Sequence, residues 1–366
     1  METYPLRSML LEEAQEKQFK IVDVIARNMS GREFLELGDL GVVQRINKPH
    51  KTKIVENIIA EIFDAEACIL TRGSGTQALR WGLLAGISPN EKILIHKAPI
   101  YPTTEINIRS MNLETVEYDF NDLKDIYEVL SDNKIKFCLL QHTRQKPDDR
   151  YDLGEVIKKI KEYRKDIIIL VDDNYAVMKV SKIGSELGAD LSAFSMFKLL
   201  GPVGIGCLVG RKELIEKIEK YNYSGGGQVQ GYEASEVLRG LTYAPVSLAI
   251  QAQESEKLLE ELNKQEKYPY IKKVFLANAQ SKVLLVEFRE NMADRILTEA
   301  EKLGALPNPV GAESKFEIPP LFYKVSGTFL KADPSLKERM IRINPNRSGS
   351  ETVIRILEES YRRIME

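Results

Sequence analysis

The chain has 366 residues, 43% of them hydrophobic and 29% charged, which is enough for two domains and a sizeable core. Its formal net charge of −2 gives no pull toward nucleic acid or an anionic membrane, so neither is expected as a partner. Glu2, Glu12, Glu13 and Glu16 do not make a secretory signal, and no apolar run reaches the length of a bilayer span.

In chain order, residues 9–28 carry Leu10, Leu11, Ala14, Phe19, Ile21, Val22, Val24 and Ile25 at helical spacing and predict an amphipathic helix. A Gly-broken segment, 34–41, follows. From about residue 51 the pattern alternates. Helices are expected at 53–63, 76–85, 101–111, 122–130 and 153–164. Strands are expected at 67–70, 93–96, 115–120, 136–140 and 167–171. Strands without polar alternation, each followed by a helix, indicate a mostly parallel sheet covered on both faces. Such sheets bind ligands at the carboxyl ends of their strands.

Beyond a helix at 246–263 the character changes, with strands at 283–288 and 340–343 and helices at 293–303 and 351–365. This α+β pattern predicts a smaller C-terminal domain, 251–366, after a large domain, 51–250. The N-terminal helix and arm, 1–50, are expected to pack on the small domain and the active site. Cys68, Cys138 and Cys207 each lie in an apolar run without metal spacing. They read as buried, inert thiols of a reducing cytoplasm, and no metal is expected.

Four constellations fall at or after strand ends. Gly73-Ser74-Gly75-Thr76 precedes a helix, whose free N–H groups could cradle a phosphate, although a tight turn uses the same residues. Asp172-Asp173-Asn174-Tyr175 ends an all-apolar strand, where burying a charge is costly without a partner. Lys198 lies between Phe197 and Leu199, so it is either a desolvated, nucleophilic amine or a lysine that snorkels out at a strand end. Gly225-Gly226-Gly227 forms a turn or a further anion loop. An anion cradle, then a carboxylate, then an amine 26 residues later, meets the needs of pyridoxal 5′-phosphate (PLP). That cofactor requires a phosphate site, a carboxylate for its pyridine nitrogen and an amine for its aldehyde.

With these residues the chain resembles the fold-type-I PLP-dependent enzymes, which include aminotransferases, cystathionine enzymes, cysteine desulfurases and the selenocysteine synthase group. Over its whole length it is similar to an aminotransferase-like bacterial family, the YhfS type, which has no settled activity. The runs Asp172-Asp173-Asn174-Tyr175-Ala176-Val177-Met178-Lys179-Val180 and Arg342-Ile343-Asn344-Pro345-Asn346-Arg347-Ser348-Gly349 carry that likeness.

The resemblance implies the aspartate-aminotransferase-like PLP-dependent transferase fold and a homodimer. It makes Lys198 the Schiff-base lysine and Ser74, Gly75, Thr76 and Ser195 the phosphate site. It makes Asp172, or Asp173 one position later, the partner of the pyridine nitrogen. Tyr101 would stack on the cofactor, and His142, with Arg144 two residues on, would approach its phenolic oxygen. Arg342, or Arg347, would grip the substrate α-carboxylate. The Gly-Gly-Gln run at 226–228 is similar to that of the desulfurase and selenocysteine synthase branches, but 237–241 lacks their threonine for a neighbouring subunit's phosphate.

The expected reaction is aminotransferase-like, on a small amino acid, with Lys198 doubling as the base at Cα. A β/γ-eliminating lyase, with Tyr101 or His142 protonating the departing atom, is the alternative. A non-catalytic PLP-binding protein is the alternative of another class. Desulfuration is disfavoured because it needs an exposed thiolate, and tRNA-linked synthesis because the chain lacks a basic module.

Overall fold

The computed structural model describes residues 2–278, 283–311, 313–325, 330 and 333–366. The chain forms two compact units. One comprises Gln15–Thr143 and Arg150–Pro245, the other Met1–Ala14, Arg144–Asp149 and Val246–Glu366.

The first unit opens with α1 (Leu11–Asn28), followed by α2 (Gly31–Leu35) and α3 (His50–Ile62). Then come β1 (Ala67–Arg72), α4 (Ser74–Gly86), β2 (Lys92–His96), α5 (Pro102–Ser110), β3 (Glu114–Tyr118) and α6 (Ile126–Leu130). β4 (Ile135–Gln141), α7 (Leu153–Tyr163), β5 (Ile168–Asp172), β6 (Leu191–Ser195), β7 (Ile205–Gly210) and α8 (Lys212–Tyr221) follow. The strands make one seven-stranded sheet in the order β1-β7-β6-β5-β4-β2-β3. Only β7 runs against its neighbours, so the sheet is mostly parallel as its apolar, unalternating strands predict. Leu139, Leu170, Ala193 and Leu208 pack with Leu79 and Leu83 of α4 on one face. Cys138, Leu140, Ile169 and Val171 pack with Val156, Ile157 and Ile160 of α7 on the other.

Two of these strands escape an apolar-run reading. β6 is Leu-Ser-Ala-Phe-Ser, with Ser192 and Ser195 fully inside. β7 begins next to one glycine and ends on another, and both are required. A Cβ on Gly206 would lie 2.2 Å from the Ser74 carbonyl oxygen, and one on Gly210 2.1 Å from that of Asp190. The helix expected from 246 starts at Gly231 instead, and this α9 (Gly231–Leu262) carries Pro245 in its interior. Proline removes one backbone donor there, which explains why the sequence reads as a helix start.

The N-terminal segment divides between the units: Met1–Ala14, including the first turn of α1, goes with the C-terminal unit, and α1 from Gln15 onward with the sheet-containing one. From Gln15 onward α1 pairs Lys17 with Glu186, Lys20 with Asp64, and Arg27 and Asn28 with Glu61. Amphipathic spacing identifies a buried stripe but does not name what covers it.

The second unit holds an antiparallel sheet in the order β10-β11-β9-β8, from β8 (Ile271–Leu276), β9 (Leu284–Phe288), β10 (Leu321–Lys324) and β11 (Met340–Asn344). Helix α10 (Ala293–Lys302) and the C-terminal helix Ser350–Met365 cover one face, burying Ile296, Ala300, Val353 and Leu357 against Leu284, Val286, Ile341 and Ile343. Two of these strands, β8 and β10, were not among the predicted elements.

One buried charge cluster braces the first unit. Lys48 bonds Glu56 at 2.7 Å and Glu219 at 2.8 Å, and Glu56 also accepts from the Leu70 N–H at 2.9 Å. Burial holds the Glu56 carboxyl above its ordinary value, and Lys48 pulls it back. Replacing Lys48→Met strands that carboxylate inside the protein, so the expected loss is about 3–5 kcal/mol in urea denaturation. A loss below roughly 1 kcal/mol would show that the pair does not brace the unit.

Candidate active site

β4, β5 and β6 run parallel; β4 and β5 end level, with Gln141 opposite Asp172, and β6, with Ala193 opposite Asp172, runs two residues further to Ser195. β1 ends at the same edge, because it pairs antiparallel to β7, which pairs antiparallel to β6. The residues that follow these strands therefore meet along one rim.

Gly73 is left-handed at φ 94, Ser74 at φ 57, and both of their N–H groups donate to the Gly204 carbonyl at 2.7 and 3.0 Å. These bonds turn the chain from β1 straight into α4, whose N-terminus no side chain caps. Its first-turn N–H groups and the hydroxyls of Ser74 and Thr76 are thus arranged as an anion cradle. Thr76 Oγ1 lies 3.4 Å from Thr103 Oγ1, which sets this loop beside the start of α5 and Tyr101. Ser195 is buried at the end of β6, opposite Gly206 and hence next to Ser74.

Lys198 sits in the single 3-10 turn Met196–Leu199 that follows β6. Phe197 and Leu199 are buried beside it, as their apolar character implies. The turn closes through Leu200 at φ 64 and is backed by Gly240, where a Cβ would lie 2.6–2.7 Å from the Leu200–Gly201 backbone. The Lys198 ammonium lies over the Tyr175 ring, 3.4 Å from its centroid. Tyr175 reaches that place because Ala176 and Val177 N–H both donate to the Asp173 carbonyl, coiling the chain back after β5.

The two adjacent aspartates part company here. Asp173 is fully buried, with Oδ1 2.6 Å from His142 Nδ1 and Oδ2 accepting the Gly184 N–H at 3.1 Å. Asp172 accepts from the Asn174 N–H at 3.1 Å and Nδ2 at 2.8 Å. Burial raises the Asp172 carboxyl above its ordinary value, and Asn174 and the nearby Lys198 only partly bring it back. Tyr101, 44% exposed at the cap of α5, shares the same field. Its phenol is pushed up by Tyr175 and by burial, with Lys198 opposing.

Ser74, Gly75, Thr76, Tyr101, Asp172, Ser195 and Lys198 thus gather on one rim. His142 and Asp173 stand at the same strand ends but engage each other. Tyr175 and Asn174 were quoted in the sequence motif yet given no role. Arg144 falls in the other unit, where its guanidinium donates to the Tyr4 carbonyl and lies 3.4 Å from Asn278 Oδ1.

Arg342 and Arg347 also belong to that second unit. Arg342 lies between the buried Ile341 and Ile343, its guanidinium 4.1 Å from the Tyr323 ring and its Nε donating to the Lys324 carbonyl at 3.0 Å. Arg347 donates to Gln251 Oε1 at 3.0 Å and to the Glu313 carbonyl at 3.4 Å. Burial lowers its guanidinium, with Glu313 and Glu317 opposing.

The rim fits PLP. The cradle suits a phosphate, and the part-buried Asp172 carboxyl, still raised beside Lys198, suits a further cationic N–H. The approach is close. A Cβ on Gly75 would lie 1.9 Å from Asn174 Oδ1, so glycine lets the cradle touch the side chain that holds Asp172. Gly75→Ala is expected to displace Asn174 and cost about 1–3 kcal/mol, a cost at least halved in an Asn174→Ala background. Denaturation of all four members of the cycle checks this, and additive costs would contradict the contact.

Comparison with known proteins identifies the family and the fold. Residues 48–264 match the model for aminotransferase class-V, and residues 256–357 that for the YhfS-like C-terminal domain. The Escherichia coli (strain K12) protein YhfS is 51% identical over 98% of this chain and 99% of its own. A crystal structure described as the pyridoxal-5′-phosphate-dependent protein YhfS of Escherichia coli superposes with a TM-score of 0.96 over 99% of this chain and 100% of that one. A carbon-sulfur lyase involved in aluminum resistance from Clostridium novyi NT shares the fold at 18% identity, with a TM-score of 0.69 over 96% of this chain and 91% of that one. The chain therefore belongs to the aminotransferase class-V family, in its YhfS-like branch.

Proposed function

We propose that this protein is a PLP-dependent enzyme acting on a small amino acid by an aminotransferase-like reaction. One observation carries the reading: Lys198 and the raised carboxyl of Asp172 converge beside Tyr175, on the rim that also holds the uncapped start of α4. When bound, PLP supplies an aldehyde for amines and a ring that accepts the electrons of a broken Cα bond. Ser74, Gly75, Thr76 and Ser195 would hold its phosphate, and Asp172 rather than Asp173 its pyridine nitrogen. Asp173 already has both oxygens engaged. Tyr101 and Tyr175 would flank the ring, and Lys198 would hold the aldehyde and then move a proton at the substrate Cα. Arg342, or Arg347, is proposed for the substrate α-carboxylate on the family likeness; within the second unit Arg342 donates to the Lys324 carbonyl, and Arg347 to Gln251 and Glu313.

Elimination from the β or γ carbon is the second reading, and Tyr101 favours it. A phenol kept protonated near Lys198 can donate to a departing atom. His142 is less suited to that task while Asp173 holds its ring. Incubating the holoenzyme with a panel of L- and D-amino acids separates the two. Transamination releases the keto acid and leaves the amino form of the cofactor, whereas elimination releases ammonia. Lys198→Ala is expected to slow either reaction by about 10²–10⁴-fold. Full activity in that variant, or no turnover of any amino acid, would contradict the proposal.

The active form is proposed to be a cytoplasmic homodimer. Free Cys68, Cys138 and Cys207 are all buried, which suits a reducing compartment, and among the described residues no helix is long and apolar enough to cross a membrane. The segment around Gly38 and Gly41 is tied to the start of α9 by Gly231 N–H to Asp39 and Gly41 N–H to Gln230. Around it Leu35, Leu37, Leu40, Tyr223 and Tyr232 are exposed, a concentration of apolar surface that a second copy would cover. Leu37→Asp with Leu40→Asp is expected to halve the mass measured by light scattering. A wild-type monomer at micromolar concentration would overturn the dimer.

A further inference from the structure

Asn174 stands between two parts of the rim, and no step proposed above uses it. Its backbone N–H and its side-chain Nδ2 donate to Asp172 at 3.1 and 2.8 Å, and both converge on one oxygen, Oδ1. On its other side the amide lies against Gly75, the second residue of α4, where Asn174 Oδ1 is the atom nearest to the place of a Cβ. The start of α4 carries no side-chain cap, so its positive end is unshielded at this contact.

The amide has one favourable orientation there. Its oxygen belongs against the helix start and its NH2 group against the carboxylate. A flipped amide would set two oxygens against each other at Asp172 and a donor against the positive end of α4. The titratable groups that face Asp172 are Lys198 in the turn after β6, the adjoining Asp173, and Tyr101 at the cap of α5. Gln141 on β4 and Ala193 on β6, opposite it in the sheet, carry no charge. Burial works against the Asp172 anion, and the bonds from Asn174 lead what opposes it.

We propose that Asn174 is the positioning residue for Asp172: its amide, oriented by the start of α4, fixes the rotation of that carboxyl, holds it as an anion and leaves Oδ2 for a cationic nitrogen. The inference deepens the function proposed above, because it concerns the carboxylate assigned there to the pyridine nitrogen. It does not depend on a bound cofactor. Losing one hydrogen bond to a charged group raises a carboxyl titration midpoint by about one to two pH units. Below the midpoint, each unit means about tenfold less carboxylate.

The test is a carbon NMR titration of the cofactor-free full-length protein, isotope-labelled at the aspartate carboxyl carbon, from about pH 4 to about pH 9. The Asp172 resonance is the one absent from D172N. N174L keeps the branch and volume of the side chain without its donor, and N174A removes both. Each is expected to raise the Asp172 midpoint by about one to two units, because the other groups that face it stay in place. N174A carries the expectation alone should N174L lose its fold by circular dichroism. An unshifted midpoint, or a shift confined to N174A, assigns Asn174 to packing only and overturns the inference. Adding PLP to the wild-type protein separates the two ideas. Raised midpoints with no adduct on Lys198 support the inference and sink the cofactor reading, and unshifted midpoints with a normal adduct do the reverse.

Discussion

A carboxylate that burial works to neutralise is the constraint around which this fold is arranged. Asp172 ends a strand whose preceding residues, Ile169, Leu170 and Val171, are wholly inside. Leaving a charge at such a place costs several kcal/mol unless donors and cations are brought to it. Asn174 supplies two hydrogen bonds and Lys198 a nearby charge, yet the carboxyl remains above its ordinary value. A group still short of positive charge in that surrounding is matched to a cationic nitrogen, which is what a pyridinium ring presents.

The rest of the rim follows from holding that carboxyl in place. Asn174 touches Asp172 on one side and the cradle at Gly75 on the other, so the uncapped start of α4 and the Asp172 carboxyl are fixed to each other by one side chain. The coil that carries Asn174 also swings Tyr175 beneath Lys198. Asp173 anchors that coil from below through His142 and Gly184. Two neighbouring acids thus serve different ends, one facing the rim and one tying the backbone under it.

Much of this was legible from residue order. The apolar run into Asp172, the glycines at 73 and 75 and the amine at 198 identify a rim because parallel strands end together. The choice between Asp172 and Asp173 was not legible. Successive residues at a strand end point in opposite directions, and which of them bonds His142 and which Asn174 depends on the register of β5 within the sheet. β6 and β7 were hidden because Ser192, Ser195, Gly206 and Gly210 are placed by close backbone approach, not by hydrophobicity. Tyr175 was invisible as a partner of Lys198 because the coil between them is held by backbone bonds to Asp173 that leave no periodic signature. The division of α1 at Gln15 was not legible either, since its ion pairs with Glu61, Asp64 and Glu186 span long stretches of chain.

The measurement closest to the central claim is borohydride reduction of the purified protein after addition of PLP, followed by peptide mapping. The account predicts a visible absorption band that disappears on reduction, with the pyridoxyl group on Lys198. A protein that gains no band, or one that carries the adduct on another lysine, would contradict the assignment of this rim as the cofactor site.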